Sequence, residues 1–354
     1  MDNNIKINNN IKMDNNINNI NKKNRPIVIL SITTAFFAIF SILLIVIIVR
    51  EGGVKEVVSL CSQTHYTEEE LNRMREDEKD ALLTDIRTRI NSGSSMLSIL
   101  KDYYPDKIVY ADNGQYILAD INNSLKKNDY KDSGFVKNSD NEITYQVNNS
   151  VVSHKGIDVS RYQGNIDFSK VKSSGVEYAF IRCGYRTYGN GIVTEDSSFS
   201  TYVSDALKNN IDVGVYFFSQ AVTKAEAEEE ADFVLNQIKP YNISYPVVID
   251  VEDVIGDTYR TQNLTSTELT DIIIAFCEKI KNAGYTPMIY ANLKYFIGRV
   301  DMTRLESYEK WFAYYGDTPY FPYDFSVWQY TSTGKVAGIS GDVDMNISFK
   351  NLKK

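Results

Sequence analysis

Histidine is nearly missing from this chain: His65 and His154 are the only two in 354 residues. A Ser-His-Asp triad, a Cys-His pair or a histidine-rich metal site therefore has almost nothing to be built from beyond residue 154. Cysteine is almost as scarce. Cys61, Cys183 and Cys277 are too few and too scattered for a disulfide framework, and no CxxC or Cys/His spacing points to zinc. Cys183 and Cys277 lie in apolar runs and read as packed thiols. Cys61 follows Ser59-Leu60, without the small residue that precedes a lipidated cysteine. Positive charge is in deficit as well. The net charge is -8 and the C-terminal half has no basic cluster interleaved with aromatics, which excludes a general nucleic-acid binder. No metal or cofactor is implied. Chemistry in the C-terminal half must run on carboxylates, tyrosines or lysines.

What the chain does contain changes along its length. Residues 1–26 are rich in Asn, Ile and Lys without a core-building period and read as a disordered cytoplasmic tail. Residues 27–49 are an uncharged apolar run of 23, long enough to cross a bilayer as a helix and without the small-x-small site of a cleaved signal. Lys22, Lys23 and Arg25 crowd its N-terminal flank, while Arg50 and Lys55 are offset by Glu51 and Glu56. The positive-inside rule then predicts a single-pass cell-membrane protein with a cytoplasmic N-terminus and everything beyond residue 50 outside. Residues 50–150 read as an extracellular stalk and small module. Thr67 with Glu70 forms a capping box, helical spacing runs to about Leu100 with a break at Gly93, and Asn113-Gly114 marks the turn of a hairpin over 108–121.

From residue 151 the pattern becomes alternating strands and helices. Strands are expected at 156–160, 176–182, 213–219, 245–251, 286–291, 310–315 and 326–330, with helices at 198–209, 223–238 and 266–283. The second helix opens on Thr223 and Glu226, a further capping box. This is an α/β pattern. It predicts an irregular (β/α) TIM-like barrel over 151–354, with the helices shrinking after Tyr290.

Four acids stand in apolar settings within that region: Asp158, Asp250, Glu252 and Asp344. Asp250 and Glu252 sit two apart at the end of a strand-like run, so they share a face, about 7 Å apart along the backbone. Like charges at that range push one proton affinity up, which suits glycosidic bond cleavage. In a barrel all four would converge at the C-terminal mouth of the strands. For each acid singly, a cap or a satisfied ion pair explains it as well.

Several segments together resemble glycoside hydrolase family 25, the muramidases. They are Gly156-Ile157-Asp158-Val159-Ser160 with Tyr162-Gln163-Gly164, Phe180-Ile181-Arg182, Gly214-Val215-Tyr216-Phe217-Phe218, Asp250-Val251-Glu252, Ile289-Tyr290, Trp328-Gln329-Tyr330 and Val343-Asp344-Met345-Asn346. The resemblance spans residues 155–349 and implies cleavage of the β-1,4 bond between N-acetylmuramic acid and N-acetylglucosamine in peptidoglycan. It implies Glu252 as general acid and then base, and Asp250 as the charge that steadies the substrate's 2-acetamido group in a retaining, substrate-assisted route. Asp158 and Asp344 would bind sugar or tune the pair, with Asp158 as nucleophile or inverting base left open. Tyr216 would bond the acetamido group, and Tyr290, Trp328 and Tyr330 would floor the sugar groove. Phe217 departs from the family, where a histidine often stands, and puts one supporting contact in doubt.

Two other readings compete: a chitinase-like hydrolase of N-acetylglucosamine polymers, and a non-catalytic wall-binding scaffold. Peptidoglycan strands and the membrane, through residues 27–49, are the expected partners. Growth, division, sporulation, lysis and a conjugation machine that opens the wall locally are all compatible with an anchored enzyme of this kind.

Overall fold

The computed structural model describes residues 66–354 except Ile255 and Asp257. The apolar run at 27–49 and Cys61 lie outside the described residues. Among the described residues no helix is long and apolar enough to cross a membrane. The chain divides into two compact units that meet in sequence at Pro105/Asp106.

The first unit holds α1 (Glu68–Asn91) and α2 (Met96–Tyr103). The capping box at Thr67 and Glu70 is formed, and α1 has no buried residue. The helical stretch expected to about residue 100 is divided at the expected break. Gly93 takes φ +90°, a conformation costly for other residues, and Ser95 caps a fresh helix.

The second unit is built on a closed barrel. Its eight strands are β6 (His154–Val159), β7 (Tyr178–Arg186), β9 (Asp212–Phe218), β10 (Val247–Asp250), β11 (Pro287–Asn292), β12 (Glu309–Ala313), β13 (Val327–Gly334) and β14 (Val343–Ser348), and β6 pairs with both β7 and β14. Neighbours from β6 round to β13 are parallel, whereas β14 runs antiparallel to both its partners. A short β8 (Val193–Glu195) extends β7. Helices α3 (Phe168–Ser173), α4 (Phe199–Lys208), α5 (Lys224–Ile238) and α6 (Ser266–Asn282) fill the early crossovers, and only a π-helix at Tyr295–Arg299 and a one-turn α7 (Met302–Leu305) follow β11. The expected shrinkage of helices after Tyr290 is therefore present. Strand β14 was not among the expected strands although Val343, Met345 and Ile347 alternate with polar residues, and helix α3, at six residues, is too short to show a helical period.

Strand alternation sorts the side chains into two cores. Tyr178, Phe180, Val248, Met288, Trp311 and Val327 fill the barrel interior, while Ile181, Val215, Ile249, Ile289, Phe312 and Ile347 face outward. Gly156 and Gly214 sit where interior rings press on the wall: a Cβ would lie 2.1 Å from Tyr178 and 2.5 Å from Phe180, respectively. Cys183 and Cys277 are buried free thiols, as their surroundings in sequence suggested.

Where helices are missing, the segment before the barrel takes their place. The hairpin of β1 (Lys107–Asp112) and β2 (Gln115–Asp120) turns at Asn113-Gly114, both at positive φ. A three-stranded sheet of β3 (Phe135–Lys137), β4 (Ile143–Val147) and β5 (Ser150–Val151) follows. Tyr130 stacks on Phe349 at 4.0 Å and donates its hydroxyl to Phe325 O, and Phe135 meets Trp328 edge-on at 5.3 Å. Residues 106–150, grouped with the stalk from sequence, thus belong to the same compact unit as the barrel. Their aromatics cover strands that no helix covers.

The boxes at the helix starts are partly redistributed. Thr223 accepts from Glu226 N, but the Glu226 carboxylate turns to Val222 N and Arg260, so only half of the expected box forms. A complete one occurs at Thr265 and Glu268.

Candidate active site

Asp158 lies near the end of β6 and Asp250 ends β10, so both reach the C-terminal mouth on inward-facing positions. Asp344 stands at the start of β14. Because β14 is antiparallel, its beginning lies at that same mouth, with Asp344 directly opposite Asp158. Glu252 falls two residues past β10. The bond from Val251 N to Tyr290 O (3.1 Å) carries the pairing one residue beyond the strand, and Glu252 emerges beside the cluster. Asp158 and Asp250 are buried, and Glu252 and Asp344 are half-buried. All four expected acids are brought together.

A network of neutral donors holds Asp158. Gln329 Nε2 (2.9 Å) and Asn346 Nδ2 (2.8 Å) both donate to its Oδ2. The amides are themselves oriented. Trp311 Nε1, which can only donate, is 2.8 Å from Asn346 Oδ1, and the Tyr290 hydroxyl donates to Gln329 Oε1 at 2.8 Å. Asp250 has no such support: its Oδ1 is buried without a hydrogen-bond partner among the described residues. An orphaned buried oxygen costs on the order of 1–3 kcal/mol, which a bound donor would recover.

Burial decides the proton affinities here. It pushes Asp158 up to about 6, opposed by the Asn346 and Gln329 amides. It pushes Glu252 up to about 7, with Asp344 and Asp253 adding and Arg182 opposing. Asp344 rises to about 8 by burial and the charge of Asp158. Asp250 is raised well above the carboxylate range by burial, Glu252 and Asp158. Among the neighbouring protein groups only Arg182 favours the charge expected of Asp250. The carboxylate best equipped to stay ionised is Asp158, because it alone receives two amide donors.

The aromatics divide. Tyr216 lies inward on β9 with its phenol pushed up by burial and by Asp158, Asp250 and Asp344, and Tyr290 is buried with its hydroxyl in the Asp158 network. Trp328 and Tyr330 are not at the mouth. Gln329 takes the inward position on β13, so its neighbours must face out: Trp328 is fully buried, donating to Tyr314 O, and Tyr330 is 3% exposed near the Ile143 backbone. The exposed rings on the mouth side are Tyr315, 58% exposed with its hydroxyl 3.5 Å from Gln329, and Tyr162, 73% exposed with the Arg182 guanidinium 5.0 Å from its ring centre. Phe217 also faces outward, against Phe233, so its departure from histidine does not touch the cluster.

Sequence reasoning did not assign roles to Arg182, Gln329, Asn346 and Trp311. Arg182 is the one cation that opposes both Asp250 and Glu252, and its Nε donates to buried Asp196 at 2.7 Å. A signal was present: each polar member stands two residues from an inward one, Arg182 after Phe180, Gln329 after Val327 and Asn346 after Asp344. Among the described residues no group of His, Cys, Asp and Glu has the arrangement of a metal site.

A closed barrel of strands and helices with protonatable carboxylates gathered at its mouth defines a barrel hydrolase of the carboxylate type. Residues 157–339 match glycosyl hydrolases family 25, and the chain belongs to that family. It is 26% identical over 193 residues to the autolytic lysozyme of Clostridium acetobutylicum, covering 54% of this chain and 55% of that protein. It is 29% identical over 203 residues to Lysozyme M1 of Streptomyces globisporus, covering 54% and 66%. Among solved structures, the bacterial lysozyme of Streptomyces coelicolor aligns with a TM-score of 0.46 at 27% identity, over 56% of this chain and 93% of that one. The chain thus spans between about half and two thirds of the length of these two curated relatives.

Proposed function

We propose that this chain is a membrane-anchored lysozyme that hydrolyses the β-1,4 bond between N-acetylmuramic acid and N-acetylglucosamine in peptidoglycan. The observation that carries this reading is Glu252, half-buried at the barrel mouth and holding a proton up to about pH 7 beside three further acids. The relatives named as lysozymes support the substrate.

In this mechanism Glu252 gives its proton to the leaving glycosidic oxygen. The carbonyl oxygen of the substrate's 2-acetamido group attacks the anomeric carbon as that bond breaks. Asp250 Oδ1 receives the acetamido N–H, a bond that favours the charged form and draws the Asp250 proton off when substrate binds. Glu252, now ionised, takes a proton from water, which opens the cyclic intermediate with net retention. Asp158 supplies fixed negative charge near the reacting carbon, Arg182 limits the total, and Tyr315 and Tyr162 offer ring faces to the sugars.

The apolar run at 27–49 would hold the enzyme at the membrane with the barrel on the wall side. Glu252→Gln in the full chain should lower release of reducing ends from purified walls by at least about 10²-fold while sugar binding persists. Wild-type activity should sediment with membranes, and the new reducing ends should be muramic acid. Undiminished lysis by Glu252→Gln, or cleavage of chitin but not walls, would overturn the reading.

A further inference from the structure

Lys294 bridges two carboxylates: its Nζ lies 2.7 Å from Asp112 Oδ1 and 2.8 Å from Asp253 Oδ2. Asp253 follows Glu252 directly in the chain. Its Oδ1 accepts the hydroxyls of Tyr259 and, at 3.0 Å, Tyr295. Burial pushes the Asp253 carboxyl up, but Lys294 and the two phenols outweigh burial and hold it below its ordinary range, so it is ionised. Lys294 and Tyr295 lie at the start of the π-helix that follows β11, a rare winding that recurs at functional sites.

The far end of this charge chain lies outside the family-matched residues. Asp112 closes β1, whose Ile108 and Val109 are 2% and 0% exposed. Val109 N donates to the Tyr320 hydroxyl at 3.0 Å. The Tyr110 hydroxyl lies where Gly298 has no side chain, 2.4 Å from the place a Cβ would take. The hairpin is therefore docked firmly enough to fix Asp112.

We propose that Asp112, Lys294 and Asp253 are positioning residues, a three-charge clamp that holds the Glu252 backbone at the barrel mouth and makes the β1–β2 hairpin a working part of the site. The proposal rests on Glu252 being the proton donor. Physically, Glu252 leaves the barrel past the last ladder bond, so one side of its backbone is held by Val251 and Tyr290 and, among the described residues, the other by what holds Asp253. The clamp also sets local charge. Glu252 is faced by Asp250 from β10, Asp158 from β6, Asp344 from β14, Arg182 from β7, and the phenols of Tyr290 and Tyr315. Lys294 partly offsets the charge of Asp253, the further anion next to it.

The test uses the full chain in detergent, with two readouts: kcat and KM against pH, and infrared carboxyl titration, in which the difference from Glu252→Gln isolates the Glu252 band. Lys294→Met should leave Asp253 uncompensated and move the Glu252 titration upward by roughly 0.5–1 pH unit. It should lower kcat roughly tenfold with KM nearly unchanged, as misplacement of a catalytic group does. Lys294→Arg should recover most of both, and Asp112→Asn should lower kcat by a smaller factor. Lys107→Met, which breaks only the hairpin's other ion pair with Asp120, should change neither readout. Lys294→Met and Asp112→Asn indistinguishable from Lys107→Met would overturn the clamp. Should Lys294→Met fail to fold, Asp253→Asn decides: a downward shift of the Glu252 titration supports the clamp and an unmoved one sinks it. If wild type cleaves no glycan, the functional reading fails, yet the infrared titration still decides the clamp.

Discussion

Asp158 and Asp250 show how one residue type receives unequal support from its neighbours. Both are buried carboxylates on inward strand positions, but Asp158 receives two amide donors and Asp250 Oδ1 receives none. Hydrogen bonds to the charged form favour it, and an orphaned oxygen favours the proton. The cluster also makes stability depend on pH. The four folded-state affinities lie above those of an unfolded chain, so above about pH 4 and up to about pH 8 these four carboxyls bind more protons folded than unfolded. Their stabilising contribution is complete below the unfolded values and is lost as pH rises through the folded ones. The protein should therefore lose stability from pH 5 to pH 8, and Glu252→Gln should flatten part of that slope, gaining up to about 3 kcal/mol at pH 8. Calorimetric melting of both forms across this range checks it. A variant whose slope equals wild type would mean that Glu252 titrates at its ordinary value.

At the scale of elements, β13 and β14 decide the site. β14 returns antiparallel, which sets Asp344 opposite Asp158 and brings Asn346 inward, while the parity of β13 sends Gln329 in and Trp328 out. Gln329→Leu removes one donor from ionised Asp158 and should raise its proton affinity. If Asp158 must be charged for turnover, the acidic limb of kcat, read with substrate bound and Asp250 ionised, moves up and narrows the active range, while the alkaline limb set by Glu252 stays. An unmoved acidic limb would remove Asp158 from the mechanism. The positions were readable in part. Asp250, Glu252 and most strands follow from local pattern and Tyr216 from the family resemblance, but Trp328-Gln329-Tyr330 does not state its own parity, and its two flanking aromatics do not reach the sugar groove expected of them.

For the whole molecule, the barrel does not end where its family match begins. Tyr130, Phe135 and Tyr145 from the preceding segment pack on Phe325, Trp328 and Phe349, which no crossover helix covers. Each large apolar side chain left exposed costs about 1.5–3 kcal/mol, so losing several approaches the whole stability of a domain. A chain starting at residue 148 should aggregate or melt far below one starting at residue 106, as measured by soluble yield and melting temperature. Equal melting would mean that the early aromatics contribute little.

The sequence by itself determined the alternation of strands and helices, the acids available once histidine is set aside, and the family order of motifs, because these are written in local periodicity and residue type. Only the tertiary structure decided which way β13 faces, which carboxylate receives amide donors, and that a hairpin some 140 residues before Glu252 reaches its neighbour through Lys294. Those depend on burial and on partners distant in the chain, and no window of sequence contains both members of such a pair.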